Sequence, residues 1–326
     1  MKITDWAVVF VLIAGPLLWV IALYAADLQE VNRLQIRYTT ALRTAVQDTA
    51  SVLSRNELQQ FETGYGSDKY MRADKELALE VLRHTLSLNF GIADDPLAME
   101  TLFNYIPAIV VIDYDGYWVY ALDEGVSSDG EPSLKHHWRP KKPYVYVDAA
   151  GNSVAFTLDQ MIRVISPSSG EEVRGLFADI SSQVPIPLLQ DAEVFEQIRR
   201  SVIVHQIEDE LEQVIALHNE HTARLGYTYT FTLPTISQEE WNNTLDDVGI
   251  IVFLQGIPVG SRYYNNFALG GGRLTRQKMI TGGVDPVTNI KYYYYAECKL
   301  PYRREEIFSS KREAAARGYF EARCEL

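Results

Sequence analysis

The apolar positions of this chain begin as one unbroken block and only later fall into periods. From Trp6 to Ala26 no charged residue occurs over 21 positions. As a helix such a run spans roughly 30 Å, the thickness of a bilayer's hydrocarbon core. Trp6 and Tyr24 stand near its two ends, where amphipathic rings favour the membrane–water interface. Pro16 inside the run is expected to kink the helix, which lipid-embedded helices tolerate. The competing reading is a cleaved secretory signal. Its apolar run is normally only about 7–15 residues long, and Leu23 stands where a cut after Ala25 calls for a small residue. The expectation is a single membrane helix retained on the chain.

Past this block the pattern becomes helical. No Pro or Gly occurs from Leu17 to Thr63. Leu28, Val31, Leu34, Tyr38, Leu42, Ala45, Val46, Thr49, Val52 and Leu53 recur at three- and four-residue spacing. This predicts a stalk helix continuing the membrane helix. Leu34, Leu42, Ala45, Val46, Thr49 and Leu53 form its packing stripe, directed at the globular domain or at a neighbouring protomer. Gly64 to Asp68 is the first break, and a second helix is expected from Asp74 to Asn89. Pro107–Asp113 reads as a buried strand that turns at Asp115-Gly116 and returns through Tyr117–Leu122. A polar, Pro-rich loop is expected over 127–142, then a hairpin of Tyr144–Val147 and Ser153–Leu158. A mixed stretch follows to Leu189. The longest helix after the stalk is expected over Ala192–Arg224, stopped by Gly226. Tyr227–Leu233 alternates like a half-buried strand. Ser237 and Glu240 make a capping box, Gly249–Leu254 is a further core strand, and Gly270–Gly272 reads as a flexible turn. Blocks of helices and hairpins without βαβ alternation imply an α+β fold with a mostly antiparallel sheet. The expected division is 1–26 for the tail and membrane helix, 27–63 for the stalk, 64–290 for the globular domain and 291–326 for a small C-terminal module.

Composition sharpens this picture only in part. The chain is 326 residues long, 47% hydrophobic and 22% charged, the balance of a folded protein. A net charge of −13 without a long basic run argues against nucleic acid as a partner. Twenty tyrosines and 12 phenylalanines suit aromatic-rich strands. His218 and His221, one turn apart, could share a metal, but no H-E-x-x-H pattern surrounds them. His136-His137 lies in the expected polar loop. Asp113-Tyr-Asp115-Gly116 lacks the bidentate Glu of a calcium loop and reads as a turn. Gly270-Gly-Gly-Arg273 lacks dinucleotide spacing, and G-x-S-x-G is absent. No catalytic residue, cofactor site or metal site is therefore expected. In an oxidising compartment Cys298 and Cys324 can pair, closing a loop worth roughly 3–4 kcal/mol.

Two resemblances add to this reading. The stretch Leu34 to Ala50, directly after one membrane helix, resembles the TadE-like pseudopilins of tight-adherence, type IV pilus-like systems, in which such a stripe packs protomers together. Phe231–Asn243 and Phe267–Gly271 resemble membrane-anchored proteins of Firmicutes associated with such loci. The tail from Tyr292 is similar to the small Ada-like zinc-binding module at Phe308-Ser-Ser310, Ala314, Gly318 and Tyr319. Its ligands are degenerate: Tyr294 replaces a His, Cys298 remains and Cys324 is out of register, so no structural zinc is expected. The resemblances imply a non-catalytic structural or assembly component of a pilus-like or secretion apparatus, single-pass in the cell membrane. Its partners would be membrane lipid and, through the stalk helix, copies of itself or other subunits. An extracytoplasmic domain is the expected topology, although Arg33, Arg37 and Arg43 outnumber Lys2 and point the other way under the positive-inside rule. The alternative is an extracytoplasmic sensing or ligand-binding module acting through a membrane partner, because the strand pair 109–112 and 117–122 is similar to the sheet of PAS-like sensors. An anchored hydrolase has no motif behind it. Alkylation without reductant should leave the protein's mass unchanged if the cysteines are paired, and metal analysis should find no stoichiometric zinc.

Overall fold

The computed structural model describes residues 3–53, 72–126, 132–167, 170–242, 244–245, 247–272, 280–286, 288–295, 298, 300–308 and 311–322. The first element is a single helix, α1 (Ile3–Leu53), which passes through Pro16. Its 51 residues make a rod about 75 Å long. The expected extension to residue 63 and the break at 64–68 lie outside the described residues. Helix α2 (Lys75–Phe90) starts at Asp74, whose side chain accepts from the Leu77 N–H, and ends at Gly91 in the left-handed conformation. The short helix α3 (Pro96–Phe103) follows.

The chain divides into two compact units, 1–274 and 275–326. The larger unit holds a five-stranded antiparallel sheet in the order β3-β2-β1-β8-β9. Its strands are β1 (Ile109–Asp113), β2 (Gly116–Val126), β3 (Pro132–Trp138), β8 (Val248–Val259) and β9 (Arg262–Gly272). A second sheet is a meander of β4 (Tyr144–Val147), β5 (Ser153–Phe156), β6 (Met161–Ile165) and β7 (Glu172–Leu176), with α4 (Phe177–Ile180) after it. Helices α5 (Ala192–Arg224) and α6 (Gln238–Asn242) complete the unit. The fold is α+β, as the block pattern predicts.

Successive strand residues point to opposite faces. Tyr117 donates its hydroxyl to the Gln206 carbonyl of α5, whereas its neighbour Trp118 lies under the Lys75 ammonium of α2. Hence α5 covers one face of the five-stranded sheet, and α2 the other. The second half of α1 packs on that same α2 side, over β8 and β9. The N-terminal half of α5 also covers the meander: Phe195 meets Phe156 and Phe177, and Arg199 donates to the Thr157 carbonyl.

Several sequence expectations need correction. Residues 132–138 are an edge strand rather than a loop, in register with β2 from Val126–Pro132 to Tyr120–Trp138. Leu134, His136 and Trp138 alternate with Lys135 and His137, a period of two hidden by polar composition. The mixed stretch to Leu189 contains β6 and β7. Tyr227–Leu233 joins no ladder and is not a strand. Two side-chain amides replace a partner strand. Asn219 bonds both backbone groups of Phe231, and Gln255 bonds both of Thr232. Gly270 and Gly271 are not a turn but the end of β9. A Cβ on Gly270 would stand 2.8 Å from the Val46 carbonyl oxygen and 3.0 Å from the Ala50 Cβ of α1.

The smaller unit is a four-stranded sheet in the order β12-β10-β11-β13 with α7 (Lys311–Ala316) against it. Its strands are β10 (Ile280–Val284), β11 (Lys291–Tyr295), β12 (Arg303–Phe308) and β13 (Phe320–Glu321). It begins earlier than residue 291 because β10 is hydrogen-bonded to both β11 and β12. Its core is Ile280, Tyr293, Phe308, Ala314 and Tyr319.

Gly270→Val should lower the urea midpoint of the purified protein by at least about 1–3 kcal/mol of stability, because helix backbone cannot move aside as a side chain can. Gly91→Asn, at a left-handed helix end with nothing within 4 Å, should change it far less.

Candidate functional site

Helix α1 carries two surfaces of opposite character. In its first half the side chains stand free: Trp6 is 64% exposed, Trp19 68% and Tyr24 68%. The helix is long and apolar enough to cross a membrane, and no part of its most apolar stretch is buried, a property shared by membrane anchors and signal sequences. Pro16 lies within this half. The second half belongs to the core of the domain. Leu42, Ala45, Val46, Thr49 and Leu53 are completely buried, and Leu34 is partly buried against the same cluster. Thr49 donates its hydroxyl to the Ala45 carbonyl, so the one polar member of the stripe is satisfied within the helix. Burial of each large apolar side chain contributes roughly 1.5–3 kcal/mol. Of the two packing partners open to this stripe, the chain uses its own domain, through α2, β8 and β9.

The outward face of this half bears Asn32, Arg33, Arg37, Arg43, Thr44, Gln47 and Asp48, with Ile36 as a lone apolar residue 68% exposed. Near the span, the tip of the β8–β9 hairpin rests on the helix. A Cβ on Gly260 would lie 2.9 Å from Val31 Cγ2 and 3.7 Å from Asp27 Oδ1, and Gly260 has φ +60°. Only glycine fits there on both counts.

The chemically richest groups form two ion-pair clusters on opposite faces of the sheet, one beside Trp118 and residue 73 and the other against α5. Asp113, 0% exposed, accepts from the Ala73 and Tyr114 N–H groups through Oδ1 and from Lys141 Nζ at 2.6 Å through Oδ2. Lys141 also bonds Asp115. Burial lowers the Lys141 pKa, but Asp113 and Asp115 outweigh it, and the net shift is upward. Glu210 on α5 receives Arg139 and Lys142, Arg139 reaches Asp123 at 2.9 Å, and Arg224 meets Glu124. Both buried carboxylates among the described residues, Asp113 and Glu210, are thus neutralised by cations. The arrangement is a clamp holding the β1–β2 hairpin to residue 73 and α5 to the β2–β3 edge. Its signal, Lys141-Lys142 beside Arg139 in a presumed loop, is not legible without the pairing of β2 with β3.

Three of the histidines lie among rings, a carbonyl and a carboxylate. His218 is fully buried, with Nε2 3.0 Å from the Asn104 carbonyl oxygen and its ring edge-on to Phe231. His221 is buried, with Nε2 3.9 Å from Asp123 Oδ1. His136 stacks on Tyr120 and meets Phe103 edge-on. Among the described residues no group of three or more His, Cys, Asp or Glu converges on a point that could hold a metal. Two open grooves, of about 440 and 380 Å³, lie beside β7–α4 and beside the edge strand β9. In the smaller unit Cys298 is buried and disulfide-bonded; Cys324 lies outside the described residues. Comparison with known protein families, with curated proteins and with solved structures finds no match.

Burial, assisted by neighbouring cations, pushes His136 down to about 3, and burial pushes His218 down to about 4. Between these values and the ordinary value of about 6.5, the unfolded chain binds more protons than the folded one. Stability should therefore be complete above pH ~6.5 and fall as pH drops below it, by roughly 1.4 kcal/mol per pH unit for each histidine. Urea midpoints between pH 7 and about pH 5, above the carboxylate range, check this. His136→Phe with His218→Gln should flatten the slope.

Proposed function

We propose that this chain is a non-catalytic, single-pass membrane protein that serves as a structural or assembly subunit of a pilus-like or secretion apparatus. The observation that carries the reading is the division of α1. One helix is bare and apolar over its first half and part of the domain core over its second. A tether needs no such continuity. A rod built into the sheet transmits position and torque between a membrane-embedded end and the domain, as a subunit stacked among others requires. The disulfide at Cys298 supports placing the domain outside the cytoplasm, where disulfides persist.

Because the Leu34–Leu53 stripe is occupied within the chain, contacts between subunits fall to the apolar arm and to the outward face around Ile36. Ile36→Cys in native membranes should give an oxidatively crosslinked dimer, whereas Val46→Cys, buried under β9, should not. A strictly monomeric protein with both variants would overturn the assembly reading. Protease should digest the domain from the outside of intact cells, and protection there would reverse the topology.

A further inference from the structure

We propose that the tip of the β8–β9 hairpin is a second membrane contact, seated in the headgroup layer of the bilayer that α1 enters. This rests on the reading of α1 as a membrane helix. The apolar span ends at Ala26, and the tip touches the helix at Asp27 and Val31 through Gly260. At 1.5 Å per residue these positions lie within roughly 8 Å of the end of the span, comparable to the headgroup layer on one side of a bilayer. The hairpin therefore reaches the depth of lipid phosphates without any movement of the domain.

Its side chains suit that depth. Ser261, Arg262 and Tyr263 are exposed, Tyr263 by 45%. The Arg262 side chain has no ion-pair or hydrogen-bond partner among the described residues, although its backbone pairs with Val259 in the ladder. An exposed guanidinium with an exposed ring behind it suits the water side of the interface: the guanidinium bonds phosphate oxygens, and the ring lies farther from the span, since the next residue, Tyr264, meets Thr39 of α1. The platform beneath is held in place. Tyr263 packs on Tyr229 with ring centroids 5.0 Å apart, and the Tyr229 hydroxyl donates to Asn265 Oδ1 at 2.6 Å. Tyr229 itself lies over Gly256, where a Cβ would come within 2.6 Å of its ring.

The charges at this level determine the lipid class. Asp27 and Glu30 on α1 offset Arg33 and Arg262, and Glu30 pairs with Arg33 at 3.7 Å. With no net positive field, the contact is to phospholipid phosphate in general and does not select anionic lipid. Helix and hairpin together fix the tilt of the domain over the membrane, which a single spanning helix leaves free.

The full-length protein, reconstituted in phosphatidylcholine vesicles, tests this with an environment-sensitive fluorophore on a single added cysteine and nitroxide-labelled lipid as quencher. Val20→Cys reports the span, Ser261→Cys the hairpin, and Ser51→Cys the distant end of α1. The expected result is blue-shifted, quenched emission at positions 20 and 261 and water-like emission at 51. Adding phosphatidylglycerol should leave the signal at 261 unchanged. Arg262→Ser with Tyr263→Ser should abolish the blue shift at 261 and leave position 20 as it was. Quenching at 20 without quenching at 261 would overturn the hairpin contact and leave the membrane helix standing. No quenching at 20 would remove the membrane reading itself, and the hairpin contact with it.

Discussion

The seam between the second half of α1 and the strands β8 and β9 is the contact on which the rest of the molecule depends. A helix can lie this close to a sheet only where the strand presents no side chain, and Gly270 supplies that position under Val46 and Ala50. Gly260 does the same under Val31. Between these two points Thr39 bonds Tyr264 and Asn266, and Tyr38 stacks on Phe90 while meeting Tyr264 edge-on. The seam thus joins α1, α2 and β9 into one packed layer. Without it, β9 would lose its cover on one face, and the apolar arm would hang from the domain by a flexible joint.

The opposite face is held by a different force. Helix α5 is laced to the β2–β3 edge through Arg139, Lys142 and Glu210, and Tyr117 bonds its Gln206 carbonyl beside apolar Ile207, Leu211 and Val214. Buried ion pairs of this kind add little net stability, but they are costly to break one partner at a time. They specify how the helix sits more than how strongly it binds. The two faces divide the labour: apolar packing with glycine contacts positions the arm, and charge pairing positions the covering helix.

This division bears on function. Asp113, Asp115, Lys141, Glu210 and three histidines would invite a catalytic reading if they converged on one cleft. Here the buried carboxylates are closed off by cations, and burial holds His136 and His218 down in pKa. Among the features facing outward are the bare helix arm, the polar outer face of α1 and the hairpin tip, the surfaces on which the proposed structural role rests.

Much of this architecture is legible along the chain. An uncharged apolar block, the absence of Pro and Gly after Leu17, and a three-four stripe dictate one long helix, because local backbone propensity and amphipathic period act over neighbouring residues. The α2 and α5 boundaries, the Asp113–Gly116 hairpin and the Ser237–Glu240 cap follow from equally local rules. What the stripe packs against is not local: Leu42 and Val46 would suit a neighbouring protomer as well as β9, and only the fold brings Gly270 beneath Val46 and Ala50. The same holds for β3, whose His and Lys residues look like a loop until β2 pairs with it. It holds also for Tyr227–Leu233, which alternates like a strand yet finds Asn219 and Gln255 in place of a partner. Period and capping are properties of a segment and can be read from it. Partner choice depends on contacts between residues up to two hundred or more positions apart in the chain, such as Thr39 with Tyr264, and was decided by the tertiary structure.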